Sequence, residues 1–316
     1  MNQEFRLQRP LDPLSDILSL LSAKCMLSSS LRASGSWKVS LPSEALKFNV
    51  ILSGECFLLP ATSHEPLHLK TGDCFLMNSS GPYLLYSDPM AEIMGAQIAF
   101  PDGPHGSLLH GGDEFMAIGC RIALDKNDAA LLLDNLPSLH RIPSHRREAS
   151  GISWLLTRLA AEWNSSAPGS TAATDHLAQL LFVEIIRSWL RSADAPITGW
   201  LNALSDRRIG EAIRQIHNTP ERQWLVGELA KVVGMSRSNF ALRFKQMVGL
   251  PPLDYLLRWR IRLAAKALRS TADPLSDISL SLGYQAESTF SYAFKRIVGI
   301  SPKKYRLMHQ QTQDGR

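Results

Sequence analysis

Two short segments near the C-terminus carry side chains whose types and spacing suit the reading of nucleic acid. Asn239 could pair with an adenine edge, and Leu242 could contact a thymine methyl group. Basic side chains in the same segments suit phosphate oxygens, and the hydroxyl groups suit bases or phosphates. The full set of candidate DNA contacts is Arg237, Ser238, Asn239, Leu242, Arg243, Lys245, Ser288, Thr289, Ser291, Tyr292, Lys295 and Arg296.

These segments are two copies of one repeated unit. The first copy reads NFALRFKQMVGLPPLDY, and the second reads TFSYAFKRIVGISPKKY. In each copy we expect a short helix, a turn and a longer helix, because Gly234 and Gly283 allow the positive φ that such a turn needs. The pattern predicts a helix-turn-helix over about residues 226–248 and a second over about residues 275–298.

Helical phase separates a buried side from an outward side in the longer helix of each copy. At about 100° per residue, the phenylalanines and their apolar neighbours fall on one side, which must face the core. Asn239 and Leu242 of the first outward face become Thr289 and Tyr292 in the second. A repeated scaffold with altered outward residues is what two different DNA sub-sites would require. The expected core set is Phe240, Phe244, Met247, Val248, Phe290, Phe294, Ile297 and Val298.

Between the copies, DYLLRWRIRLAAKALRS predicts a long helix with one apolar side. A rigid spacer of this kind would fix the separation of the two longer helices. Two recognition helices about 34 Å apart could enter successive major-groove segments on one face of B-DNA.

The charge distribution supports a polyanionic partner for this end of the chain. Residues 206–316 contain 19 Lys and Arg against 9 Asp and Glu, whereas the remainder contains 15 against 20. A basic third on an acidic body favours nucleic acid as the partner, although a solvated basic surface would give the same count.

Upstream, residues 38–125 contain short β-rich runs separated by turn residues, which predict a small barrel or sandwich after a short helix near Pro13. From about Arg146 the spacing becomes helical, and these helices could pack on the barrel or on a partner chain. We therefore expect a sensor domain over 1–145, a helical linker with a possible dimer contact over 146–205, and a DNA-binding domain over 206–316.

Four cysteines, without CxxC spacing, indicate reduced thiols rather than a disulfide framework. Cys120, Cys56 and Cys74 are candidate redox-sensing residues, and the alternative is that each is a small buried hydrophobe. No apolar run approaches the length of a membrane span, and the N-terminus lacks the pattern of a signal peptide, so we expect a cytoplasmic protein without membrane contact.

Across nearly its whole length the sequence resembles the AraC/XylS family of bacterial transcription regulators. The resemblance rests on GMSRSNFALRFK and GYQAESTFSYAFKR at the C-terminal end, and on GECFLL and LKTGDCFLM at the N-terminal end. It implies an all-β cupin-like barrel with flanking helices, followed by an all-α double helix-turn-helix domain. It further implies a dimeric regulator, often an activator, that binds double-stranded promoter DNA and RNA polymerase in the bacterial nucleoid and responds to a small effector or to stress.

One departure from the cupin pattern bears on metal binding. Where metal-binding cupins carry a histidine pair, this sequence has Lys47 and Asn49. In the second cupin motif, Asn78, Ser80 and Tyr83 stand where such proteins carry proline, glycine and histidine. His68 is a lone strand histidine. We therefore expect no metal, no cofactor and no catalytic residue, which disfavours the alternative of a cupin-type metalloenzyme with an accessory helical domain.

Overall fold

The computed structural model divides the chain into two compact units. One unit comprises Ser22–Ala195, and the other comprises Met1–Leu21 together with Pro196–Arg316. The structure describes residues 12–42, 46–78, 81–95, 106–124, 129–144, 149–192 and 199–310.

The first unit is rich in β-strands. Its strands are β1 (Lys24–Ala33), β2 (Lys38–Leu41), β3 (Lys47–Ser53), β4 (Glu55–Pro60), β5 (Leu67–Lys70), β6 (Cys74–Met77), β7 (Tyr83–Tyr86), β8 (Ile93–Gly95), β9 (Ser107–His110), β10 (Phe115–Ala123) and β11 (Leu139–Ile142). They form a six-stranded sheet in the order β11-β6-β3-β10-β1-β9 and a five-stranded sheet in the order β5-β4-β7-β2-β8.

The helices follow the chain from one unit to the other. They are α1 (Pro13–Leu20), α2 (Ala130–Leu133), α3 (Ala149–Trp163), α4 (Ser170–Arg191), α5 (Trp200–Ala203), α6 (Arg207–Asn218), α7 (Val226–Val232), α8 (Arg237–Val248), α9 (Pro252–Ser270), α10 (Leu275–Ser281), α11 (Glu287–Val298) and α12 (Pro302–Gln310). Helices α2 to α4 belong to the β-rich unit, and the others form the helical unit.

An apolar core lies between the two sheets of the β-rich unit. Alternate residues of each strand point inward, as the period of a strand requires. The six-stranded sheet contributes Ile51 and Phe75, and the five-stranded sheet contributes Leu58 and Leu85. Within the described strands the two sheets are separate, so the unit is a sandwich of two sheets rather than one continuous hydrogen-bonded barrel.

Helices α3 and α4 pack on each other, and α4 also packs on β1 and β11. This contact explains why strand residues on the opposite side of the six-stranded sheet from the core, such as Phe48 and Ile118, are buried as well. Helix packing inside the unit was one of the two expectations for this segment. Trp154 and Leu180 nevertheless remain exposed on the outer surface of the pair.

The helical unit contains α1, although the sequence analysis placed residues 1–145 in the sensor domain. Helix α1 begins after Asp12, whose side chain accepts a hydrogen bond from the backbone N–H of Ser15, with Pro13 at the first helical position. Its apolar side, including Ile17, is buried, and it contacts α6 and α9. The numerical boundaries at residues 145 and 205 stay predictions.

The observed architecture confirms the predicted fold class, a β-rich N-terminal domain followed by a helical C-terminal domain with two helix-turn-helix units. Among the residues that the structure describes, no helix is both long enough and apolar enough to cross a membrane.

Candidate nucleic-acid interface

An aromatic cluster anchors the longer helix of the first helix-turn-helix unit. The Phe240 and Phe244 rings meet edge to face at 5.6 Å between centroids, and Phe244 meets Tyr255 of α9 at 5.8 Å. Both phenylalanines are fully buried. Burial of each contributes about 1.5–3 kcal/mol, and the edge-to-face geometry adds to it. Helix α8 is therefore held by one side, which leaves the other side outward.

The second unit repeats this cluster. Phe290 and Phe294 are 5.8 Å apart between ring centroids, and Phe294 meets Tyr305 of α12 at 5.4 Å. The predicted core phenylalanines are thus confirmed in both units. Three neighbours that the helical phase also assigned to the core, Met247, Ile297 and Val298, are only half-buried, because they lie at the edge of the apolar stripe near each helix end.

The outward face of α8 carries the candidate readers of the first unit. Arg237, Ser238 and Asn239 are exposed in its first turn, and Leu242 is 59% exposed one turn later. Ser236 caps the helix by accepting a hydrogen bond from the backbone N–H of Asn239 at 3.4 Å. An exposed leucine on a helix otherwise anchored by apolar burial is available for contact with an apolar group such as a thymine methyl.

The outward face of α11 differs in chemistry. Tyr292 is 71% exposed, and Ser288 and Thr289 are exposed in the first turn, whereas Ser291 is only partly exposed. The residue at the cap, Ala286, has no side chain that could accept a hydrogen bond. Helix α11 therefore presents hydroxyl groups where α8 presents an amide and a leucine.

Four candidate phosphate contacts, Arg237, Lys245, Lys295 and Arg296, are exposed on the two helices. The fifth, Arg243, is exposed but forms an ion pair with Asp206 at 2.5 Å. Asp206 also caps α6, because its carboxylate accepts hydrogen bonds from the backbone N–H groups of Arg208 and Ile209. These interactions hold the pKa of Asp206 below its usual value although partial burial opposes the shift. In this structure Arg243 joins α8 to α6.

A buried polar chain that the sequence analysis missed lies beneath the first unit. The Asp16 carboxylate of α1 lies 3.0 Å from His217 Nδ1, and His217 Nε2 lies 2.8 Å from the Tyr255 hydroxyl. The His217 ring also stacks on Trp259 at 3.8 Å. A neutral imidazole satisfies this arrangement, since Nδ1–H can donate to Asp16 while Nε2 accepts from Tyr255. Burial lowers the pKa of His217, although the Asp16 carboxylate opposes that shift.

The three cysteines with a predicted redox role are all buried. Burial raises the pKa of Cys56 and that of Cys74 to about 12, and it raises the pKa of Cys120. Cys120 has a thiol neighbour, because Cys25 lies diagonally across the β1–β10 pair, where it faces Ile122. Cys25 was not among the predicted redox residues, because only the register of the two strands brings it close to Cys120. A raised thiol pKa disfavours the reactive thiolate, and the redox role stays a prediction.

The residues at the cupin motif positions have structural partners. Lys47 Nζ lies 4.7 Å from the centroid of the Tyr83 ring. Asn78 donates a hydrogen bond to the carbonyl of Leu133 at 2.7 Å, and His68 lies 3.1 Å from the Glu55 carboxylate. Ser80 lies outside the described residues. No group of three or more His, Cys, Asp or Glu side chains with metal-binding geometry occurs in the part of the chain that the structure describes.

Comparison with known proteins gives consistent matches for both units. The sequence pattern of the cupin family matches residues 12–191, and that of a helix-turn-helix domain matches residues 229–308. The chain is 38% identical to an AraC-like transcription regulator of Streptomyces antibioticus, over 94% of this chain and 98% of the relative. It is 32% identical to the HTH-type transcriptional regulator AlkR of Acinetobacter baylyi, over 87% of this chain and 92% of the relative.

Among solved structures, the chain is similar to a transcriptional regulator with an AraC-type DNA-binding domain from Chromobacterium violaceum. The similarity covers 35% of this chain and 98% of that one, with 28% identity and a TM-score of 0.33.

Proposed function

The chain belongs to the AraC-like family of DNA-binding transcription regulators with an N-terminal cupin-type sensing domain, and from this premise we propose that α8 and α11 read two different sub-sites in one promoter. The observation that carries the proposal is the repeated aromatic anchor beneath two unlike outward faces. The repeated aromatic anchor orients each helix in a similar way, so the unlike exposed residues decide which bases each helix prefers.

In this proposal the first turn of each recognition helix contacts base edges and the flanking cations contact phosphates. Asn239 and Leu242 supply an amide and an apolar group to the first sub-site. Thr289 and Tyr292 supply hydroxyl groups and an aromatic surface to the second. Arg237, Lys245, Lys295 and Arg296 neutralise phosphates, and these contacts give the complex its salt dependence.

We also propose that the protein is a homodimeric activator that contacts RNA polymerase in the bacterial cytoplasm. The support is the membership of the family together with the exposed apolar residues Trp154 and Leu180 on the α3–α4 pair, which would suit a partner chain.

The signal reaches the β-rich unit as a small effector or as an oxidant. The adjacent thiols of Cys25 and Cys120 favour the second class, because two neighbouring thiols can join in a disulfide once an oxidant accepts their electrons. A DNA-binding response to peroxide or hypochlorite that Cys120→Ser abolishes, while Cys56→Ser retains it, would support this route. Equal responses in both variants would contradict it.

We propose, finally, that the chain is not an enzyme. Lys47, Asn49 and Tyr83 stand where metal-binding cupins carry histidines, and the described contact of Lys47 with the Tyr83 ring is structural. Stoichiometric iron or manganese in the purified protein would contradict this proposal.

The reading proposal is tested by selection from a library of random-sequence duplexes with the full-length protein. We expect enrichment of a two-part motif and an affinity that falls steeply as salt rises. A double variant, Asn239→Ala with Tyr292→Ala, should lose preference at one position in each part while it retains salt-dependent binding to any duplex.

The matched control is Leu280→Ala, which removes an equally exposed apolar side chain from α10 rather than from a recognition helix. It should select the motif of the wild type. Enrichment of no motif by the wild type, or of an unchanged motif by the double variant, would overturn the proposal.

A further inference from the structure

The loop that leads into the first helix-turn-helix unit contacts the second unit, at a place that neither the repeat nor the spacer helix predicts. This loop, between α6 and α7, reaches the turn between α10 and α11. Arg260, in the middle of α9, lies against the same loop. We call this contact the brace; it comprises Pro220, Glu221, Arg222, Gln223, Arg260 and Gly283.

Gly283 makes the closest approach in the brace. A Cβ at this position would lie 2.0 Å from the Glu221 carbonyl oxygen and 2.9 Å from the Glu221 Cα. Both are backbone atoms, so no side chain could move aside to make room. The Gln223 side-chain amide also donates a hydrogen bond to the Gly283 carbonyl oxygen. The two loops thus touch through their main chains.

Gly234, the corresponding residue of the first unit, shows what the turn alone requires. Its φ of +64° is positive, like the φ of +80° at Gly283. A Cβ on Gly234, however, would meet no other heavy atom within 4 Å. Positive φ explains glycine at both turns. Gly283 must in addition leave space for the backbone of Glu221 in the α6–α7 loop.

Arg260 ties the brace to α9. Its Nε donates to the Pro220 carbonyl oxygen at 2.5 Å and its Nη2 donates to the Arg222 carbonyl oxygen at 2.8 Å. The residue is only 7% exposed, and its guanidinium lies 5.7 Å from the centroid of the Tyr284 ring. A buried cation without these acceptors would carry a large desolvation penalty, so the loop and the helix hold each other in place.

The position of Arg260 along α9 explains what the brace restrains. The first half of α9 packs on the first unit through Tyr255, and the second half packs on the second unit through Ile261 and Leu268. A bend near the middle of α9 would therefore change the position of one helix-turn-helix unit relative to the other. The brace spans that middle and opposes the bend.

We propose that the brace holds α8 and α11 at one separation, so that the protein reads its two sub-sites at a single spacing. Arg260 and Gly283 act as positioning residues, since neither lies on the outward face of a recognition helix. The inference rests on the proposed two-part reading of the promoter. Without the brace, each unit would still bind its own sub-site, but the pair would tolerate a longer or shorter spacer.

The test compares duplexes that carry the selected two-part motif with its own spacer and with one base pair added or removed. The full-length wild type should bind the original spacing best. In Gly283→Ala and in Arg260→Gln, the affinity ratio between original and altered spacing should fall about tenfold, which equals about 1.4 kcal/mol. Gln223→Ala removes only the hydrogen bond from the exposed Gln223 side chain to the Gly283 carbonyl oxygen, so it should lower the ratio by a smaller factor. This variant keeps the test possible if the first two fold poorly.

Two matched controls separate the effect of losing the brace from the effects of backbone strain and of lost positive charge. Gly234→Ala imposes the same strain at a positive φ with no neighbour to strike, and Arg258→Gln removes an exposed cation from the same helix. Both controls should keep the spacing preference of the wild type. The inference is overturned if the brace variants keep that preference too, or if the wild type binds all three spacings equally. Failure of the wild type to select any two-part motif would instead refute the proposed reading itself.

Discussion

The two helix-turn-helix units share an internal core but differ in what supports it from outside. In the first unit the Tyr255 hydroxyl meets His217, which Asp16 of α1 holds from the other side. In the second unit the Tyr305 hydroxyl accepts a hydrogen bond from Arg269 instead. The tyrosine at this position thus bonds to the titratable histidine His217 in the first unit and to the permanently charged Arg269 in the second. The aromatic anchor is alike in the two copies, whereas their surroundings differ.

The two copies are therefore equivalent only in the aromatic core, which must orient α8 and α11 alike. The ring distances of the two clusters agree within a few tenths of an ångström. The helix caps, the turn environments and the outward faces differ, and these are the parts that can change affinity, spacing or response to conditions.

The largest effects should come from the shared anchor. Phe244→Ala and Phe294→Ala each remove a fully buried ring, and each should lower the free energy of unfolding by about 3–5 kcal/mol. Urea denaturation of the full-length protein measures the change. Leu280→Ala, at an exposed position, should change stability little. A loss in one unit that is far smaller than in the other would break the equivalence of the two cores.

Replacement of one outward residue at a time should separate the two readers. Leu242→Ala and Tyr292→Ala should each weaken binding to the selected duplex by about 1–2 kcal/mol. Each variant should relax base preference in only one part of the motif, which sequence selection detects. If both variants relaxed the same part, the assignment of one sub-site to each helix would be wrong.

The helix caps should respond in opposite directions. Ser236→Ala removes the side-chain acceptor at the start of α8 and should lower stability by about 1 kcal/mol. Ala286→Ser adds an acceptor at the start of α11, where the backbone is already extended, and should raise stability by up to about 1 kcal/mol. Ser288→Ala, inside the first turn, serves as the control. A stabilising effect of both cap changes would contradict the assigned caps.

The smallest effect is a dependence of stability on pH that arises from His217, beneath the first unit. Burial lowers the pKa of His217 below its ordinary value of 6.5, against the opposing carboxylate of Asp16 and with the help of nearby Arg262. The unfolded chain therefore binds more protons than the folded chain just below pH 6.5. The contribution of His217 to the free energy of unfolding is fully present above pH 6.5 and declines as the pH falls below it. Thermal unfolding measured from about pH 7.5 to 5.5 should show the decline.

His217→Asn should lower stability at neutral pH and flatten this slope. The control is Leu280→Ala, which changes an exposed apolar side chain and leaves His217 and Asp16 in place. It should keep the slope of the wild type. An equal slope in the wild type and in His217→Asn would show that other groups titrate in this window.

The repeat is the part of the molecule that the sequence reveals best. Period and glycine position predicted both helix-turn-helix units, and the helical phase predicted the buried phenylalanines, because these features depend on residues close together in the chain. The ligand-poor cupin motifs were equally visible, since residue identity alone carries that information.

What the sequence could not reveal depends on contacts between distant residues. Nothing near Asp16 indicates His217, which lies 201 residues further on. The brace is hidden for the same reason, because Gly283 looks like an ordinary turn glycine until the Glu221 backbone is placed beside it. The proximity of Cys25 to Cys120 likewise depends on strand register, which includes an irregularity after Leu27.

The packing of α1 within the helical unit has a consequence for the design of chimeras between such regulators. The cupin family match begins at residue 12, yet α1 packs with the helices that begin near residue 199. By contacts, the β-rich unit is an insertion within the helical one, joined to it near residues 21 and 195. A chimera that exchanges sensing domains needs both joints, because a single cut at the second would leave His217 facing a foreign first helix.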